Sequence, residues 1–255
     1  MTRQSHFSGI SGSTLKLIAV FSMLVDHTGA TVLRTLCHLP SITAVPGRQA
    51  FFVSAYNLSR SIGRIAFPIF CFLLVEGFLH TRSAAKYVFR MLLFAVVSEI
   101  PFDLALKGAW YYPEKQNVYV TLLIGLLVLI GFRLAEQFFS GSMPKKLLRF
   151  LLYILILSAG MQLSILLNTD YNFKGVFLIA ILYLTRQSTT VQCIGGACSV
   201  AWELPAPAAF LPIWLYNGTR GLKLKYFFYL FYPGHLLLLY LLNTEVAAHG
   251  CTRSQ

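Results

Sequence analysis

The sequence predicts an all-α polytopic transmembrane helix bundle, one domain over residues 1–255, and three observations carry that prediction. The chain is 56% hydrophobic and 12% charged, whereas an ordinary soluble domain is about 25% charged. Its apolar residues gather into runs close to the ~20 residues that a helix needs to cross a hydrocarbon core. Those runs lack the period-two alternation of a membrane barrel, and lipid leaves only helices or closed barrels as ways to satisfy the backbone. A mean hydropathy of +0.66 agrees.

The first run covers residues 15–36. It carries Asp26 and His27 near its centre and has no small-residue cleavage site, so it reads as a retained helix and not a secretory signal. Residues 61–80 and 84–106 follow as a hairpin about Ser83. Pro68 deprives the carbonyl of Arg64 of its usual helical partner, which predicts a kink turned toward protein or a cavity. Further runs occupy residues 117–134, 147–167 and 173–184. Another, at about 191–215, is interrupted by Pro205, Pro207 and Pro212. The last, residues 226–242, contains Pro233, for which a similar kink is expected. The expectation is eight spans with a possible ninth.

The net charge of +12 is dispersed over helix ends and short loops. Such dispersal indicates contact with anionic lipid and a fixed topology, not nucleic-acid binding. Arg3 and Lys16, then Arg82, Lys86 and Arg90, then Lys145, Lys146 and Arg149 fall on one side if the spans alternate, and that side should be the cytoplasm. The basic stretch NGTRGLKLK at residues 217–225 conflicts with eight simple crossings, which place it outside; a re-entrant or extra crossing between Gln187 and Tyr216 would repair this. Five cysteines are an odd number in a chain that needs no disulfide; Cys193 and Cys198 could pair only if their loop faced an oxidising compartment, and the free state is the expected one. No metal-binding, P-loop or dinucleotide motif occurs, so neither a metal nor a soluble nucleotide domain is expected.

Charges inside the spans are the informative residues, because an unpartnered ion in a bilayer costs at least a few kcal/mol. Eleven residues at 1.5 Å each carry His27 about 16 Å beyond Lys16, near mid-depth. By the same arithmetic Glu76 and Arg90 lie equidistant from the turn at Ser83 and are expected to pair. Arg64 and Asp103 share another level, and Glu99 lies within about one turn of the height of His27. His235, about 14 Å into the last helix, is a second mid-depth histidine. Bland readings stand beside these: paired charges set helix register, His235 is a satisfied core residue, and Asp170 with Lys174 caps and anchors a helix end.

The stretches LKLIAVFSMLVDHTG, GRIAFPIFCFLLVEGFLHTRS, RMLLFAVVSEIPFDL, DYNFKGV and NGTRGLKLKYFFYLFYPGHLLLL resemble, in colinear order, the TraX family of conjugative-transfer membrane proteins. The blocks SEIPFDL and FYPGHLLLL are specific, whereas residues 37–59 and 187–212 match no family motif. The resemblance implies a multi-pass N-acetyltransferase of the bacterial inner membrane that takes acetyl from acetyl-CoA and places it on the amino terminus of a pilin subunit. The first helix is also similar to that of integral-membrane acyltransferases, in which the histidine matching His27 is taken as catalytic.

An amine must lose a proton to attack a thioester, and histidine suits that task near neutral pH. His27 is therefore the candidate base, with Asp26 or Glu99 orienting its ring and Arg64, or amides freed at the Pro68 kink, facing the developing oxyanion. His235 is a further candidate catalytic residue. Phosphates of the donor would lie on Arg82, Lys86 and Arg90, or on Arg220, Lys223 and Lys225, with Gly218 and Gly221 allowing close backbone approach. The competing class is a secondary transporter or proton relay, which also presents ionisable groups at mid-depth beside proline-broken helices.

Overall fold

Ser11 opens the first helix by accepting the Thr14 amide on its hydroxyl, a cap that starts α1, Gly12–Thr28. A π-helical turn, Gly29–Leu33, continues it into α2, Arg34–Leu36. Prolines in the first turn, where no amide donor is needed, begin α3, Pro40–Thr43, and α4, Pro46–Gly63. The chain runs on as α5, Ala66–Leu79, and α6, Ala84–Lys107. Asn117 caps α7, Val118–Phe138, through the Tyr119 amide at 2.9 Å. After α8, Met143–Leu166, come α9, Asn172–Leu184, α10, Thr189–Ser199, a 3-10 turn at Ala206–Ala209, α11, Phe210–Trp214, and α12, Lys225–Thr252. The structure, a computed structural model, describes residues 9–222 and 225–252.

Among the described residues, five helical stretches are long and apolar enough to cross a membrane: Gly12–Leu36, Pro46–Leu79, Val118–Phe138, Met143–Leu166 and Phe227–Ala248. Many of their large apolar side chains face outward, with Leu155 64% and Leu166 75% exposed on α8. A soluble surface rarely shows so much apolar area together, so the chain reads as an integral membrane protein.

The other expected spans take different forms. α6 has the length but carries five charged residues, Lys86, Arg90, Glu99, Asp103 and Lys107. α9 has 13 residues, about 20 Å of helix against a ~30 Å core. Residues 191–215 are divided between α10, the 3-10 turn and α11, the proline-rich stretch having prevented one continuous helix. Residues 37–59, silent in the sequence, hold α3 and most of α4. The break between α4 and α5 falls at Arg64 and Ile65, as expected from the clash of the Pro68 ring with the Arg64 carbonyl. Pro101 and Pro233, by contrast, lie inside α6 and α12 without ending them; membrane helices tolerate proline where neighbouring groups satisfy the freed carbonyl.

The chain forms two compact units, and α5 and α6 each lend one end to both. The first comprises the described parts of Met1–Ile69, Val97–Tyr112 and Glu203–Gln255. Its core includes Leu15, Ala19, Ile69, Phe102, Ile213 and Leu236. Here α1 and α4 approach closely because small residues meet: a Cβ on Gly29 would strike Ser59, and one on Gly63 would strike Asp26. The hydroxyl of Ser22 donates to the Ile62 carbonyl at 2.6 Å across the same contact.

The second unit, Phe70–Val96 and Pro113–Trp202, is built on α7, α8 and α9. Gly125 lies against Ile179 and Gly160 against Val128, so the three helices pack nearly backbone to side chain around Leu126, Leu129, Phe132, Leu178 and Leu182. Asp170 pairs with Lys115 at 2.8 Å, and Lys174 stands 3.6 Å over the Trp202 ring, which anchors the start of α9 as expected of a helix end.

Candidate functional site

In the first unit α1 and α12 begin at the same end. The Gly12 amide donates to the Thr219 carbonyl at 2.8 Å, the Ser13 amide to Arg220 at 3.0 Å, and Lys16 lies 5.5 Å over the Phe228 ring. The described part of the basic stretch NGTRGLKLK therefore sits at the amino-terminal end of α1, where its charge argued it belonged. Parallel helices that start together bring equal depths together. His27, eleven residues beyond Lys16 on α1, and His235, ten residues into α12, meet.

His27 Nδ1 and His235 Nε2 are 2.7 Å apart. The ring centroids are separated by 5.0 Å and the planes differ by 7°. The short bond and the two ring radii account for that separation when the rings lie end to end, so this is a hydrogen-bonded dyad and not a face-to-face stack. Phe231 stacks on His235 with centroids 4.7 Å apart, Tyr232 meets His27 edge-on at 6.1 Å, and His235 is only 6% exposed.

The partners fix the protons. His235 Nδ1 lies 2.7 Å from the Phe231 carbonyl, which only accepts, so Nδ1 carries the hydrogen. In the neutral ring Nε2 is then an acceptor, His27 Nδ1 is the donor to it, and His27 Nε2 keeps its lone pair. The chain of bonds makes His27 a base at Nε2 and places behind it a second imidazole able to share an acquired charge. A π-helical turn follows one residue after Thr28, and the Thr31 hydroxyl donates to the His27 carbonyl at 2.6 Å, holding the backbone where the helix widens.

Asp26, the neighbour of His27, turns instead to α4, where its Oδ2 is 2.5 Å from Arg60 Nη1. Asp26 is thus not the group behind the histidine ring, because adjacent helical residues point about 100° apart. The position expected for Asp26 or Glu99 at His27 Nδ1 belongs to His235. Glu99 is half-buried on α6. Arg64 was expected at the level of Asp103 but pairs with Glu203 at 2.8 Å, while Asp103, 1% exposed, accepts the Tyr112 amide at 2.8 Å. The α4–α5 break re-aims Arg64, and no count of residues along straight helices anticipates that.

Arg60 is the functional candidate that sequence reasoning missed. A signal was present: Ser59 and Gly63, four apart, form the small-residue spacing that marks a close helix contact, and Arg60 stands inside it. A second missed cluster lies in the other unit, where Arg186 Nη2 donates to both carboxylate oxygens of Glu136, at 2.8 and 3.0 Å, and the hydroxyls of Tyr153 and Tyr183 also donate to that carboxylate.

The basic groups expected to hold phosphates are differently placed. Arg82 and Lys86 are exposed at the start of α6, and Arg90 lies 5.5 Å over the Tyr87 ring. Arg220 stands near enough to Lys16 for their charges to repel, an arrangement that favours an anion between them. Lys223 and the side chain of Lys225 lie outside the described residues. Gly221, at φ +68°, packs against Ser11 and Ser13, so its bare backbone serves to seat this loop on α1; Gly218, at φ +77°, has open space around it.

A multi-helix membrane protein with a part-buried histidine dyad and an adjacent Asp–Arg pair is the class that fold and site define. The chain belongs to the TraX family, whose profile, described as TraX protein, matches residues 11–243. A curated relative, the probable fimbrial assembly protein FimC, serogroup H1, of Dichelobacter nodosus, is 28% identical over 269 aligned residues, covering 94% of this chain and 97% of that protein. No solved structure matches the chain.

Proposed function

We propose that this protein is an inner-membrane N-acetyltransferase that modifies the amino-terminal amine of a pilin or fimbrial subunit, with an odd number of crossings, as parallel α1 and α12 require, and the Lys16 and Arg220 end of α1 in the cytoplasm. The observation that carries the reading is the dyad: the bond from His27 Nδ1 to His235 Nε2 leaves His27 Nε2 as a base in a mostly apolar helix bundle. Membership of the TraX family and the fimbrial relative supply the kind of acceptor.

Acetyl-CoA as donor contributes an acetyl thioester. His27 Nε2 would accept the proton that the attacking amine sheds as its nitrogen bonds to the carbonyl carbon, and would return a proton to the sulfur as the carbon–sulfur bond breaks. His235 stabilises the transient imidazolium by accepting a charge-assisted hydrogen bond. Asp26, neutralised by Arg60, locks α1 against α4 and holds the register of the His27 helix. Lys16 and Arg220 would meet donor phosphates at the cytoplasmic end.

The test is the intact mass of the cognate pilin from cells with this protein, with a His27→Ala variant at equal membrane level, or with neither. A gain of one acetyl group that requires both the protein and His27 supports the reading. Unacetylated pilin in every case removes it and favours the transporter class.

A further inference from the structure

Beyond the dyad, α1 continues into a cavity of about 710 Å³ in the same unit, at the end opposite Ser11, within the ~300–1,000 Å³ range of ligand pockets. Its near wall is Thr31, whose hydroxyl holds the His27 carbonyl. Arg34, His38 and Lys107 line it and are exposed, and no aspartate or glutamate is among its lining residues. Asn243 also lines it, and its buried Oδ1 has no hydrogen-bond donor among the described residues.

These features ask for a ligand with two properties. The Arg34 guanidinium and the Lys107 ammonium call for an anion, and the orphaned Asn243 oxygen calls for an N–H or O–H donor, because burying such an acceptor unpaired costs about 1–3 kcal/mol. A phosphodiester group has no donor of its own to offer; a polypeptide carrying a carboxylate side chain has both. We propose that this cavity receives the first residues of the acceptor polypeptide and selects for an acidic side chain shortly behind the amine. The inference rests on the acetyltransfer reading and adds to it the substrate's sequence preference.

The spacing follows from the helix. Arg34 is seven residues beyond His27, about 10 Å along the axis, which three extended residues span. An amine at His27 therefore sets the fourth residue of the acceptor beside Arg34.

The experiment uses the full-length protein in detergent and a fluorescent octapeptide with a free amine and aspartate at its fourth position, compared with its asparagine and lysine counterparts. Anisotropy should show the aspartate peptide binding about tenfold tighter than the asparagine one at low salt. Arg34→Gln and Lys107→Gln should shrink that ratio, and Lys107→Glu should shift preference to the lysine peptide, a gain that misfolding does not produce. Equal affinity for the three peptides, or a short-chain phosphatidylglycerol that displaces the aspartate peptide and outbinds it, overturns the proposal, the second result making this a lipid-headgroup site. Acetylation of the same peptides is read separately by mass. Transfer without charge preference refutes the cavity and leaves the enzyme; charge preference without transfer does the reverse.

Discussion

Gly63→Ala tests the packing on which the site rests. The new methyl would overlap not only the Asp26 carboxylate but its Cβ, which no side-chain rotation can move. Relief requires α1 and α4 to separate, and separation pulls Asp26 from Arg60 and opens the contact of Gly29 with Ser59. Overpacking costs about 1–3 kcal/mol, and loosening a largely buried ion pair adds to it, for a total of about 3–5 kcal/mol. For a chain of this size that corresponds to a fall in Tm of roughly 10 °C. Thermal unfolding in detergent reads it directly. Asp26→Gly in the Gly63→Ala background removes the overlapping atoms and should recover the packing share of the loss, though not the ion pair. A Gly63→Ala protein as stable as the parent would refute the account of the α1–α4 contact.

Two further outcomes are expected. His235→Ala removes the acceptor at His27 Nδ1, so transfer should slow by about 10- to 100-fold, the equivalent of one charge-assisted hydrogen bond. In a His27→Ala background the same change should add nothing; additive losses would show that the two rings do not act together. In the second unit, Arg186→Ala should destabilise by about 1–3 kcal/mol by stranding Glu136. Arg186→Lys should restore less than half of that, since one ammonium cannot hold both Glu136 and the Tyr183 carbonyl as Nη2 and Nη1 of the planar guanidinium do. Full recovery by lysine in a thermal unfolding series would contradict the need for two separate nitrogens, Nη1 on Tyr183 and Nη2 on Glu136.

Depth along a helix is arithmetic, which is why His27 and His235 were legible as residues at one level and why Pro68 announced the break at Arg64. Pairing is not arithmetic. The assignments of Asp26 or Glu99 to the His27 ring, and of Arg64 to Asp103, assumed straight neighbouring helices in an order that nothing in the chain specified. The basic stretch at residues 217–222 shows the same division: its charge indicated the correct end of α1, while the path that returns it there depends on how α10, the 3-10 turn and α11 fold.

By itself the sequence determined the class of this protein, because hydropathy and run length decide which segments lipid accepts, and it determined the family, because the motifs are local. Tertiary structure alone decided who touches whom: that α12 lies parallel to α1 and turns a lone histidine into half of a dyad, that Gly63 admits Asp26 to Arg60, and that Arg34 and Lys107, distant in sequence, face one cavity. Burial is written in each residue's own chemistry. Contact depends on the rotation and crossing of whole helices, which many residues set together.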